Sequence, residues 1–156
     1  MSIRLRPFRD DELPAFIEYG RADYARQLVE FAGMEQASAD AKTDRDWNAL
    51  FAGGKNLPTS HLYRVEDENG EPVGVLWWSE RDIDEGKVAF VYDIVIDEQF
   101  RGRGYGREAM LLCEDDVRAH GLSLISLNVF GGNEVARGLY RSLGYAERAV
   151  FMSKAL

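Results

Sequence analysis

At 156 residues the chain is long enough for one domain with a sizeable core, and 46% hydrophobic with 12% aromatic residues fits a folded globular protein rather than a disordered one. A formal charge of −8 argues against a general nucleic-acid binder, whose footprint is a basic face. No apolar run approaches the ~20 residues that span a bilayer, the N-terminal stretch lacks a signal-peptide core, and one cysteine with two histidines offers neither an internal disulfide nor a recognisable metal site. The cytoplasm is the expected location, with no metal, membrane or nucleic-acid partner.

In chain order, "SIRLRPF" alternates apolar and polar residues as a short strand. Asp10 or Asp11 can cap a following helix that tolerates Pro14 in its first turn and carries Phe16, Ile17, Tyr24, Leu28 and Phe31 at helical spacing. "GMEQASADAKT" reads as a loop, after which Thr43 and Asp46 resemble a capping box opening a short helix that "FAGG" closes. Asn69-Gly70 marks a hairpin turn between two strands, and "KVAFVYDIVI" is a third strand. Residues 107–120 form an amphipathic helix with Met110, Cys113 and Val117 inward and Gly121 as its stop. "LSLISLNVF" reads as a strand, Asn133 caps a last helix with the stripe Ala136, Leu139, Tyr140 and Leu143, and "AERAVFMSKAL" reads as a final strand. This order describes an α/β fold, a mixed sheet with helices on both faces, in a single domain over residues 1–156.

Charge is unevenly placed: residues 1–100 carry a balance of −10 and residues 101–156 a balance of +2. Within the second part Arg101, Arg103 and Arg107 interleave with Gly102, Gly104 and Gly106, between an apolar strand and a helix. Free N–H groups at a helix start, glycines that allow close approach and arginines that add charged hydrogen bonds suit a pyrophosphate. A P-loop is ruled out because no Lys-Ser or Lys-Thr follows these glycines. Gly104-Tyr105-Gly106-Arg107-Glu108-Ala109 does fit G-x-G-x-x-A, but the acid that a dinucleotide fold needs at the end of the next strand is missing.

Arg101-x-x-Gly104-x-Gly106 resembles the [QR]-x-x-G-x-[GA] signature of the GNAT N-acetyltransferase superfamily, and "NEVARGLYRSLGY" resembles that family's N-x-x-A-x-x-L-Y-x-x-x-G-[FY] helix. The resemblance covers nearly the whole chain. It implies a GNAT-like fold, with a mostly antiparallel sheet and one splayed parallel strand pair, and transfer of an acetyl group from acetyl-CoA to a primary amine in a ternary complex. It implies that Arg101, Gly102, Arg103, Gly104, Tyr105, Gly106 and Arg107 grip the diphosphate. Backbone groups of Ile94, Val95 and Ile96 would hold the pantetheine, with Asn133 and Ala136 beside the coenzyme. Tyr140 matches the family tyrosine that protonates the thiolate, although its place in an apolar stripe also suits a core aromatic. Asp93 interrupts an apolar strand where many relatives carry an acid that orients or deprotonates the amine; a structural pair with an arginine is the equal alternative. Glu80 and Asp82 are runner-up acids.

Tyr19, Tyr24, Trp47 and Trp78 could line the acceptor pocket, though aromatics at such spacings are more often core. Trp77 and Trp78 must face opposite sides of their strand. His61 and His120 read as structural. The partners implied are acetyl-CoA and an amine acceptor, one that the acidic first part and Asp93 suggest is cationic; a homodimer stays open. From a different class, the chain could be an acyl-CoA-binding sensor that has lost turnover.

Overall fold

The computed structural model describes residues 2–51 and 60–156. Its five strands follow one another across a single sheet, β1 (Ile3–Pro7), β2 (Ser60–Asp67), β3 (Pro72–Ile83), β4 (Gly86–Ile96) and β5 (Ile125–Leu127). The first four pair antiparallel and β4 with β5 is parallel. The expected hairpin is present: Gly70 takes φ 82° in the turn, and the Asp67 side chain accepts from the N–H groups of Asn69 and Glu71 at 2.9 Å each. β1 is clamped to β2 by charge, since the buried Glu66 carboxylate accepts from Nε of Arg4 at 2.9 Å and Nε of Arg6 at 2.5 Å. Arg6 also forks onto Glu12 at 2.8 and 3.1 Å, holding the Glu12 carboxyl down at about 2.

Two apolar layers flank the sheet. On one face α3 (Tyr105–Ala119) buries Ala109, Met110, Cys113 and Val117 against Val65, Val73, Leu76, Trp78, Ala89 and Val91. Gly121 stops this helix at φ 78°, its N–H donating to Arg118 O and that of Leu122 to Val117 O. Burial pushes the Cys113 thiol up to about 12. Asp116 anchors the end of α3 to the sheet by accepting from Tyr63 Oη at 2.7 Å and Trp78 Nε1 at 2.9 Å. On the other face α1 (Leu13–Glu30) and α2 (Gln36–Leu50) close over Phe16, Trp47, Leu62, Val75 and Trp77. Trp77 and Trp78 therefore face opposite layers, as strand geometry requires.

Four expectations are corrected. Asp10 and Asp11 do not cap α1; they belong to a 3-10 turn at Asp10–Glu12, and Glu12 precedes the helix. The segment read as a loop at 33–43 is helical from Gln36, so Thr43 is a buried mid-helix residue rather than a cap. In "QASADAKTD" only alanines, Ala37 and Ala41, recur at helical spacing and no large apolar residue does; packing of Ala39, Thr43 and Trp47 selects the helix. The strand expected over 122–130 is only Ile125–Leu127. The last segment makes no strand: residues 146–156 carry no regular secondary structure and are exposed throughout, after α4 (Glu134–Ser142). Beyond Phe51, the "FAGG" stop lies outside the described residues.

α1 and α2 approach most closely at Gly20, where an added Cβ would lie 2.3 Å from the Trp47 ring. Gly20→Ala gains up to about 1 kcal/mol in helix propensity but overpacks a ring held among Phe16, Phe51 and Trp77. The expected net effect is destabilisation by about 1–2 kcal/mol in urea unfolding; an unchanged midpoint would show that the helices part freely.

Candidate active site

The site begins with an irregularity in β4. Trp77 pairs with Asp93 while Trp78 pairs with Val91, so Tyr92 is an extra residue, a β-bulge. The core-facing positions record it: Ala89, Val91, Ile94 and Ile96 all join the α3 layer, with one step of three. Regular alternation would have turned Asp93 into that layer. Instead Tyr92 stacks on Trp77 at 4.7 Å on the α1 side, and Asp93 comes within range of the Asp23 charge on α1. At the same place the pairing with β5 ends: the last partners are Val91 and Leu127, while β4 continues to Ile96. Among the described residues, Tyr92–Ile96 thus has a strand neighbour on the β3 side only.

At the open end of β4 lies the glycine–arginine loop. Gly102 and Gly104 take φ 78° and 84°, conformations that favour glycine, and Gly104 is the N-cap of α3 without a side-chain cap. Arg101 Nε donates to Ile96 O at 2.8 Å, tying the loop to β4, and Arg107 donates to Ser142 Oγ at 2.9 Å, tying α3 to α4. Arg103 lies over the Phe100 ring at 5.5 Å. Among the described residues none of these three arginines has a carboxylate partner, although acids outnumber basic residues in the chain. Tyr105 and Gly106 open α3, and the Cβ position of Gly106 is 3.5 Å from Leu139 of α4. Asn133 caps α4 as expected, its Oδ1 accepting from Ala136 N at 3.2 Å.

Asp93 and Tyr140 lie within electrostatic range of each other. Burial, with the Asp23 charge second, raises the Asp93 carboxyl to about 7, opposed by a hydrogen bond from Ile94 N–H. Among the described residues it has no arginine partner, so the structural-pair alternative finds no support. Burial, and then the Asp93 charge, raises Tyr140 to about 12. The Tyr140 ring packs against Tyr145 at 5.8 Å, and its hydroxyl has no hydrogen-bond partner among the described residues. Tyr19 on α1 sits between the two charge systems, its hydroxyl sensing Asp23, Asp97 and Asp93 against Arg101. It also lines a cleft of about 240 Å³ with Phe16, Arg64, Val75 and Asp97.

Other candidates fall elsewhere. Trp47 and Trp78 are buried core residues, and the Tyr24 hydroxyl is bonded to Asp46 at 2.9 Å. Glu80 and Asp82 both face Lys87, at 3.7 and 3.4 Å. His61 stacks on Trp78 at 3.9 Å and His120 Nδ1 bonds Asp116 O at 2.8 Å; with Asp116 they place three donor atoms within 4.8 Å of one another at the opposite end of α3 from the loop. Asp23 is the residue that sequence reasoning missed. It is one of three acids on α1, bonded to Arg26 at 2.8 Å and Gln27 at 2.7 Å, and only the fold brings it within range of Asp93.

Comparison with known proteins agrees with this geometry. The family model described as acetyltransferase (GNAT) family matches residues 13–145. The uncharacterized N-acetyltransferase YycN of Bacillus subtilis is 30% identical over the full length of both chains. Its crystal structure superposes with a TM-score of 0.92 over 99% of each chain. A predicted acetyltransferase from Clostridium acetobutylicum, solved with acetyl-CoA, shares the fold at 13% identity and TM-score 0.66, covering 98% of this chain and 96% of its own. No helix among the described residues is long and apolar enough to cross a membrane. By sequence and fold together, the chain is an acyltransferase of the acetyltransferase (GNAT) family, whose members use acetyl-CoA as co-substrate.

Proposed function

We propose that the protein transfers an acetyl group from acetyl-CoA to a primary amine that is cationic beyond its reacting nitrogen, in a ternary complex. The observation that carries this reading is the coincidence, at one gap between β4 and β5, of an open strand edge, three uncompensated arginines, a carboxyl near neutral pKa and an unpartnered tyrosine hydroxyl. The diphosphate lies on residues 101–107 and the first turn of α3. The pantetheine amides run along Ile94, Val95 and Ile96, whose backbone groups also polarise the thioester carbonyl. Asn133 and Ala136 flank the coenzyme at the start of α4. The acceptor approaches from the α1 side, where Asp23 and Asp93 attract its charge.

In the reaction the amine nitrogen bonds to the carbonyl carbon, the C–S bond breaks, and one proton passes in net from nitrogen to sulfur. Asp93, poised near neutrality, accepts the nitrogen's proton as the bond forms and the nitrogen becomes acidic. Tyr140 faces the leaving sulfur. Full transfer from a phenol at about 12 to a thiolate whose acid has a pKa of about 8.5 is uphill by about 3.5 units, or about 5 kcal/mol. Its hydroxyl therefore acts first as a hydrogen-bond donor to the developing thiolate. Protonating Asp93 removes the negative field that helps to hold Tyr140 high, so the base step makes the acid step easier. A sensor that had lost turnover would have no use for these two tuned groups.

Gly104→Glu places a like charge beside the diphosphate and forces a side chain to φ 84°, at a cost of about 1–2 kcal/mol. Calorimetry should show no acetyl-CoA binding in a folded variant; full affinity would remove the loop from the coenzyme site. Tyr140→Phe keeps the ring and its packing, and turnover measured by release of CoA thiol should fall about 10- to 100-fold with melting temperature nearly unchanged. Unchanged turnover across pH would assign sulfur protonation to another group.

Asp93→Asn carries both a kinetic and a stability expectation. The folded carboxyl sits at about 7 against an ordinary 3.8, so the fold holds the proton more tightly than the unfolded chain does. Stability from this group is present below 3.8 and is lost as pH rises through about 7. Asp93→Asn should therefore melt higher than wild type at about pH 8, with that advantage vanishing towards pH 4. If Asp93 is the base, kcat falls, by the largest factor above about pH 7 where the wild-type carboxyl is ionised; if it only holds the cation, KM rises alone. Wild-type kinetics with the best amine would exclude both roles.

A further inference from the structure

The chain has only two histidines, and the fold brings them together. His61 pairs with Trp78 across β2 and β3, and its ring stacks on the indole at 3.9 Å, on the face that α3 covers. His120 follows the last turn of α3, and its ring meets the His61 ring edge-on at 4.4 Å. Asp116 stands one turn earlier on the same helix, its Oδ1 lying 3.5 Å from His120 Nδ1. One donor atom from each of the three lies within 4.8 Å of the others.

The surroundings orient these groups as ligands are oriented. Asp116 Oδ2 accepts from Tyr63 Oη and Trp78 Nε1, which fixes the carboxylate and leaves Oδ1 to the histidine side. His120 Nδ1 donates to Asp116 O at 2.8 Å, so the neutral ring carries its lone pair on Nε2. A bond of this kind, from one ring nitrogen to a backbone carbonyl, is how metal-binding histidines are commonly held. Among the described residues neither nitrogen of His61 makes a hydrogen bond, although the residue is only partly exposed. Stacking accounts for the rings but not for the anchored carboxylate and the unused nitrogens.

We propose that His61, Asp116 and His120 form a binding site for one divalent transition cation, with zinc as its type. Two imidazole nitrogens and one carboxylate oxygen suit such a cation, whereas magnesium and calcium prefer oxygen ligands throughout. Around zinc, with bonds of ~2.1 Å in a tetrahedron, ligand atoms stand roughly 3.4 Å apart. The cluster therefore closes by up to about 1.4 Å on binding, through rotation of His120, the exposed member. Water takes the fourth position. The ion ties β2 to the C-terminal end of α3, where Asp116 already anchors helix to sheet. The coenzyme loop opens the other end of this 15-residue helix, roughly 22 Å away at 1.5 Å per residue, so the site stands apart from acetyl transfer.

The test is metal binding by the full chain, carrying no affinity tag, and it does not depend on the chemistry proposed above. Calorimetry should find one zinc per chain, and the melting temperature should rise with free zinc. Magnesium at the same concentration should change neither. His120→Gln alters the exposed ligand and should weaken zinc binding at least about tenfold and remove the thermal shift, with the circular dichroism of the fold retained. His61→Gln should act in the same way, and if it fails to fold, His120→Gln alone decides. A wild type that binds no zinc overturns the proposal. So does a loss smaller than tenfold in His120→Gln, because the ion then sits elsewhere on this acidic surface.

Discussion

One extra residue in one strand organises this molecule. The bulge at Tyr92 shifts the phase of β4, so that Ile94 and Ile96 face the α3 layer and Asp93 the other side. Without that shift a carboxyl would sit in a layer of Val, Met and Trp side chains, where burying it would be costly. The bulge coincides with the end of the β4–β5 ladder, beyond which the backbone groups of β4 that face away from β3 have no strand partner among the described residues. Such groups seek partners, and an extended chain bearing amides is the partner they fit. The open strand edge and the placement of the acid thus meet at a single local irregularity.

Around this gap the two signs of charge are kept apart. Three arginines that have no carboxylate partner among the described residues gather at one end of β4, while Asp93, and Asp23 with its partner Arg26, lie towards α1. The segregation is local and does not rest on net charge, since elsewhere the acids are absorbed by pairs such as Glu66 with Arg4 and Arg6. The proposed chemistry uses the separation directly: an anionic coenzyme and a cationic acceptor are drawn to opposite sides of the bond to be made. It also couples Asp93 and Tyr140, because each one's protonation changes the field on the other.

Much of this was legible in the sequence, and the exceptions share a cause. Strand alternation, the Asn69-Gly70 turn and the Gly121 stop are local signals, and the structure keeps them. The glycine–arginine loop was conspicuous because its composition has no other use. Asp93 stood out as a charge in an apolar strand, but its direction did not, since a bulge leaves no mark in composition; only the changed spacing of Ala89, Val91, Ile94 and Ile96 betrays it. α2 was missed because a polar helix is selected by what it covers. Asp23 was missed because nearness across a fold is not a property of sequence. The C-terminal segment was expected as a strand from its alternation, and the expectation failed because no described strand pairs with it.

The burial of Cys113 has a consequence for how the enzyme can be studied. Its sulfur is wholly enclosed by the α3 layer and its proton is held up to about 12, so at neutral pH it is neither accessible nor nucleophilic. It is also the only cysteine in the chain. In a native reaction mixture, a thiol-reactive dye therefore reads the coenzyme and not the protein. The same enclosure protects the sulfur from oxidation. A slow signal from Cys113 would then report opening of the α3 layer itself, giving a built-in probe of unfolding.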